Sequence, residues 1–293
     1  MLFRTSPQYL LPVLPCRRLL AGSLVGVALL LSPWASSATT STEATTLQIC
    51  VESQAYPPYF MQAESNFSEP HPGVVPQLVS QAAIATGLTP QYVRHPWKRC
   101  LKLLELNKVD AILAAIFQQD RQKIGRFPMF AGNEDPSRRL ATADYAIFSN
   151  KGKPLHWDGH FDSTANPSIG APLGYVVVRT LKQQHQIETS TNVSPAEGLH
   201  AVAKGRLDGY IVEKNTGNSL LKTHRLESAV HPLEPIFERD YLHMMISHQF
   251  YQQHPQQAEL LWDHIGEQRV KHFDRLVLQY LDRIESNPTA AVQ

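Results

Sequence analysis

The chain has 293 residues, of which 43% are hydrophobic and 18% charged, with 27 Lys+Arg against 26 Asp+Glu. At roughly 100–200 residues per domain this is one or two domains, each able to bury a core, which excludes disordered and collagen-like chains. A formal net charge of +1 without any basic run excludes the electrostatic footprint of a nucleic-acid binder.

The first 38 residues stand apart. They carry Arg4, Arg17 and Arg18, no acidic residue, an apolar run over 19–31, and then Ser-Pro-Trp-Ala-Ser-Ser-Ala. This is the pattern of a secretory signal peptide, with small residues at Ser36 and Ala38 placing cleavage before Thr39. The apolar run is shorter than the roughly 20 residues of a membrane span, which disfavours an uncleaved anchor. Cys16 precedes that run instead of following it, which disfavours a lipoprotein. Beyond residue 38 remain 24 basic and 26 acidic residues and no uncharged stretch of spanning length. The expectation is a nearly neutral exported protein, soluble outside the cytoplasmic membrane. Only Cys50 and Cys100 belong to that mature part, and such a pair in an oxidising compartment is either a disulfide or two buried thiols.

Along the mature chain, Leu47-Gln-Ile-Cys-Val-Glu-Ser alternates apolar and polar residues and stops at Tyr56-Pro-Pro-Tyr, predicting a strand and a rigid loop. Val75, Leu78, Val79 and Ala82 follow Gly73 at helical spacing and end at Gly87. A strand over 89–94 stops at Pro96, and a helix over 97–107 carries Trp97, Leu101 and Leu104 on one face. Asp110-Ala-Ile-Leu-Ala-Ala-Ile-Phe is a continuous apolar run of strand length, as in a strand covered on both faces. The pattern then restarts: strands over 145–149 and 168–172, helices over 174–184 and 194–204, and a short strand over 208–213. A last strand over 241–247 precedes a helical region from Pro255 to about Ile284, whose apolar stripe must dock on something. Strands alternating with helices define an α/β layer structure.

No phosphate loop, nucleophile elbow or His-Glu-x-x-His is present, and Gly170 with Gly174 does not match a dinucleotide fingerprint. There is no Cys-x-x-Cys. The thirteen histidines are scattered. The closest pairs, His156 with His160 and His243 with His248, lack a third ligand, so solvated or locally hydrogen-bonded histidines are favoured over a metal site. No cofactor is implied.

The order of several short motifs carries a resemblance across essentially the whole mature chain. These are Tyr56-Pro-Pro-Tyr-Phe, Gly73-Val-Val-Pro-Gln-Leu, Pro96-Trp-Lys-Arg-Cys-Leu, and Asn107-Lys-Val-Asp-Ala-Ile with Asp120-Arg121. Later come Ile169-Gly-Ala-Pro-Leu-Gly-Tyr, Gly205-Arg-Leu-Asp-Gly-Tyr-Ile-Val-Glu, and Ser247-His-Gln-Phe with Pro255 and Trp262. The chain resembles bacterial periplasmic solute-binding proteins of family 3, the polar amino-acid class that serves ABC transporters. The resemblance implies a two-lobe α/β fold of the periplasmic-binding-protein type (type II) with a ligand cleft between the lobes. Lobe 1 would comprise residues 46–139 and 244–293, and lobe 2 residues 140–243.

The same resemblance implies a site. Arg121 matches the arginine that grips the ligand's α-carboxylate, a role suited to the parallel donors of a guanidinium. Glu213 matches the acid that receives the ligand's ammonium. Tyr56 and Trp97 are candidate aromatic walls, and Tyr175 stands where the family often has a small hydroxyl residue beside helix-start N–H groups. Ala115 lies in Ala114-Ala115-Ile116, where many amino-acid binders carry hydroxyls. Cys50 and Cys100 would fall on neighbouring elements of lobe 1, where a disulfide would brace the cleft floor. The implied function is capture of a small polar solute, an amino acid or a relative of one, by a monomer that closes at a hinge and presents the ligand to an ABC permease. The alternatives are a receptor docking on a membrane signalling protein, and an exported enzyme on the same scaffold, such as one resembling cyclohexadienyl dehydratase.

Overall fold

The computed structural model describes residues 45–61, 71–162, 166–189 and 194–286. The expected signal peptide lies outside the described residues.

The first strand, β1 (Thr45–Glu52), is where the alternating segment predicts it, and it is followed by helix α1 (Val74–Ala85), β2 (Leu88–His95), α2 (Trp97–Glu105) and β3 (Ala111–Ile116). β1 pairs in parallel with both β2 and β3. Parallel pairing demands a crossover helix each time, and α1 and α2 supply it, burying Val75, Leu78 and Val79 from the first and Trp97, Cys100 and Leu104 from the second. Gly73 ends the loop before α1 at φ 113°, and a Cβ there would lie 2.4 Å from the Tyr59 carbonyl oxygen, so only glycine lets the chain pass so close.

A 3-10 helix (Gln119–Lys123) and a small hairpin of β4 (Met129–Phe130) and β5 (Asn133–Glu134) lead into the ten-residue strand β6 (Ala141–Asn150). Then come β7 (Ile169–Gly170), α3 (Val176–Gln184), α4 (Pro195–Ala203), β8 (Gly209–Glu213), α5 (Lys214–Thr223), β9 (Val230–Pro232), β10 (Glu238–Ile246), α6 (His248–Gln253) and the 32-residue α7 (Pro255–Ser286). A capping box at Ser194 and Glu197 starts α4.

Eight strands form one sheet in the order β2-β1-β3-β10-β6-β8-β7, with β9 also on β6. The two βαβ halves meet at β10, which runs antiparallel to β3 through one half and to β6 through the other. Leu242 belongs to both ladders, paired with Ile116 on one side and Ala141 on the other. A register shift between His243 and Met245 accompanies Ala114 at φ 62°, a left-handed conformation that is rare for a residue with a Cβ.

Cys50 of β1 and Cys100 of α2 are joined by a disulfide with Cα atoms 5.5 Å apart. It sits in a buried cluster with Trp97, Leu104, Ile112 and Phe127. Of the histidines, His156 and His160 are exposed around Asp158, and His248 meets the Gln122 carbonyl. His243 departs from the expectation of a solvated or hydrogen-bonded ring. It is fully buried and packs edge-on against Phe127; its Nε2 stands 3.4 Å from Glu134 Oε2 without forming a hydrogen bond, and its Nδ1 has no hydrogen-bond partner. Among the described residues no group of three His, Cys, Asp or Glu is placed to hold a metal ion.

Candidate functional site

A cavity lies where the sheet passes from β3 across β10 to β6, with about 60 Å³ open to the centres of water molecules. One side is built by the end of β1 (Glu52), the loop after it (Tyr56, Tyr59, Phe60), the start of α2 (Trp97) and β3. The other side comes from Tyr145 of β6, the start of α3 (Tyr175, Val176), the end of β8 (Glu213) and the first turn of α5 (Thr216). The strand and helix ends converge here for the reason general to open α/β sheets: the crevice forms outside the carboxyl ends of the parallel strands.

Side chains from the two sides touch. The Tyr56 and Tyr175 rings stack at 5.9 Å and 24°, and Trp97 meets Tyr175 edge-on at 6.4 Å. The Arg121 guanidinium stands 5.7 Å over the Trp97 ring, donates to the Ile116 carbonyl at 2.9 Å, and reaches the Gly174 carbonyl at 3.2 Å. The Tyr59 hydroxyl donates to Glu213 Oε1 at 3.4 Å and accepts from Asn215 Nδ2 at 2.9 Å.

Charge in this chamber is unbalanced. Arg121 is 8% exposed, and no described carboxylate lies within salt-bridge distance of it; its neighbour Asp120 pairs with Arg179 instead. Burial and the nearby Arg179 cation lower its pKa, yet a guanidinium stays protonated in proteins. Glu213 is pushed by burial from 4.5 to about 7, against the opposing effect of the Thr216 and Asn215 N–H groups. Its Oε2 accepts from Thr216 N at 2.8 Å, so this carboxyl caps α5. Glu52 is also raised by burial, while its oxygens accept from Trp97 N at 2.9 Å, Gln54 N and Ser53 Oγ.

The raised Glu213 carboxyl has a sign that can be measured. Between pH 4.5 and about 7 the unfolded chain has lost this proton and the native state keeps it, so folding stability is highest below that window and falls as pH rises through it. The single-group contribution is at most about 3 kcal/mol. Asp240 on β10, raised by burial and by Glu238 and Glu134 from 3.8 to about 7, adds a slope of the same sign. Urea unfolding across this range should show stability decreasing with pH, with a shallower slope in Glu213→Gln. An unchanged slope would assign it elsewhere.

Five of the six residues expected at the site line the cavity: Arg121, Glu213, Tyr56, Trp97 and Tyr175. Trp97 also belongs to the disulfide cluster, so it serves as wall and core at once. Ala115 is not among the lining residues. Strand alternation turns it into the cluster with Cys50 and Phe127, and Ala114, in its left-handed conformation, lines the cavity instead. Glu52, Tyr59, Tyr145, Thr216 and Leu242 also line the cavity, though of these only Tyr59 falls within a sequence motif. It lies in Tyr56-Pro-Pro-Tyr-Phe, and its position directly after the two prolines is the available signal.

No family model matches the sequence, and no curated protein matches it. Solved structures match the fold. An amino-acid ABC transporter substrate-binding protein from Streptococcus pneumoniae bound to L-arginine is similar with a TM-score of 0.64 at 14% identity, over 81% of this chain and 94% of that one. A histidine kinase sensor domain with similarity to periplasmic binding proteins gives 0.62 at 16%, over 80% and 96%. An ancestral amino-acid-binding protein, a precursor of cyclohexadienyl dehydratase, gives 0.57 at 17%, over 80% and 95%. The fold is the two-lobe α/β fold of periplasmic-binding-protein-like domains.

Proposed function

We propose that this is an exported solute-binding protein that captures a small carboxylate-bearing solute, an amino acid or a relative of one, and presents it to an ABC permease. Residues 46–139 with 244–293 would act as one lobe and 140–243 as the other, closing about β6 and β10. The observation that carries the reading is Arg121: a buried cation in an aromatic cleft with no carboxylate partner among the described residues. Asp120 and Asp240 act on it only from beyond salt-bridge distance, and an incoming carboxylate would offset the cost of its burial with two parallel hydrogen bonds. The Cys50–Cys100 disulfide supports an oxidising compartment. The reading needs no catalysis. The likeness to a kinase sensor domain favours a second reading in which the closed protein, bearing the same ligand, docks on a membrane signalling protein.

A thermal-shift screen of residues 39–293 against amino acids and small organic acids tests this. A ligand at a hundredfold its dissociation constant should stabilise the fold by about 2.7 kcal/mol, and Arg121→Ala should abolish the shift. A blank across all carboxylates, or a shift indifferent to Arg121, would sink the proposal. Pull-down of the membrane partner by ligand-loaded protein separates permease from sensor.

A further inference from the structure

We propose that the loop from Tyr56 to Tyr59 is a clasp whose two tyrosine hydroxyls hold the cleft shut, so that the closed form dominates before any ligand enters. This rests on the lobe division proposed above and adds a regulation of the same site.

The loop is a rigid part of one side. Tyr56 N donates to the Phe60 carbonyl and Phe60 N to the Tyr56 carbonyl, both at 2.9 Å, which closes the loop on itself. Val74 N and Val75 N donate to the Pro58 and Tyr59 carbonyls at 3.2 Å, satisfying N–H groups that the start of α1 leaves free. Pro57 and Pro58 fix φ within it, and the Tyr59 ring stacks on Phe273 of α7 at 6.1 Å.

Both hydroxyls leave this side and end on helix starts of the other. Tyr56 stacks on Tyr175, the N-cap of α3, and the two hydroxyls share a hydrogen bond. The Tyr59 hydroxyl meets Glu213, the N-cap of α5, and Asn215 in its first turn. Tyr56 is 8% and Tyr59 5% exposed, so these bonds are made out of water. With the lobes apart, water can satisfy each of these groups; with the lobes together, only the partner across the seam does. Removing one hydroxyl therefore penalises the closed form and spares the open one. Other contacts cross the same seam. Arg179 with Asp120 and Lys222 with Glu285 are exposed pairs, which contribute little, and Arg121, on the Gly174 carbonyl, is the group that a carboxylate would claim. A ligand then reaches Arg121 through the minor open population, and the clasp limits how fast it enters.

Electron-spin distance measurements test this without any ligand. Residues 39–293 would carry labels at the exposed positions Lys102→Cys on α2 and Lys182→Cys on α3, and bound solute would be stripped by unfolding in guanidinium, disulfide intact, and refolding. A single short separation should dominate in the otherwise unchanged chain. Tyr56→Phe and Tyr59→Phe should each raise the open-to-closed ratio roughly five- to tenfold, the worth of one buried hydrogen bond, and the double variant should raise it more than either. A control pair within one proposed lobe, Lys102→Cys with Lys271→Cys, should not move. An unchanged distribution in the double variant, a long separation dominating before any tyrosine is altered, or an equal shift of the control pair overturns the clasp and leaves the solute-binding reading standing. A blank in the ligand screen overturns that reading and leaves these distances readable.

Discussion

Reducing the Cys50–Cys100 disulfide should lower folding stability by roughly 4 kcal/mol, because the crosslink closes a loop of 50 residues whose freedom it removes from the unfolded chain. For a chain of this size that is a fall in Tm of about 8–16 °C. The loss should be larger than that of any exposed salt bridge here, since such pairs contribute about 0–1 kcal/mol. Location adds a functional consequence. Cys100 lies one turn into the helix that starts with Trp97, and Trp97 both walls the cavity and packs in the disulfide cluster. Reduction should therefore broaden the Trp97 environment and weaken ligand binding even below the new Tm. Urea unfolding of oxidised protein, reduced protein and the Cys50→Ala/Cys100→Ala double variant measures the first effect; a difference under 1 kcal/mol would refute it.

Trp262→Ala should cost about 3–5 kcal/mol. Trp262 is 1% exposed in α7, and its Nε1 donates to the Met244 carbonyl of β10 at 2.9 Å. Ala258, Leu261 and Ile265 complete the buried stripe. Truncation removes the largest fully buried side chain and leaves a buried carbonyl without its donor. Trp262→Phe keeps most of the ring and loses the hydrogen bond, so it should cost about 1–3 kcal/mol. Chemical denaturation of the three proteins checks the order, and equal losses in both variants would show that the hydrogen bond, not the ring, dominates.

Much of the fold was legible where periodicity and burial agree. The run before Phe117 became β3, buried at every position but the half-buried Ala114, and the stripe after Pro255 became α7, docked through Trp262. α5 was not legible. Lys-Asn-Thr-Gly-Asn-Ser carries weak helix formers and an internal glycine. The glycine has a tertiary reason: a Cβ at Gly217 would lie 2.1 Å from the ring of the fully buried Phe148. Missing that helix hid the role of Glu213 as its cap. The Ala115 expectation failed for a similar reason, since the register shift opposite β3 and the left-handed Ala114 cannot be seen in a run of apolar letters. Glu52 was hidden because its importance comes from the start of α2, 45 residues away.

The double membership of Leu242 sets a mechanical scale for the cleft. Under the proposed closure, a twist of one half of the sheet against the other would disturb the two ladders least if it turned about the residue they share, which makes Leu242 the expected fulcrum. Its side chain lines the cavity, so such a rotation would displace that part of the wall least. Tyr56 on one side and Tyr175 on the other would, under the same closure, shift against one another as that angle changes.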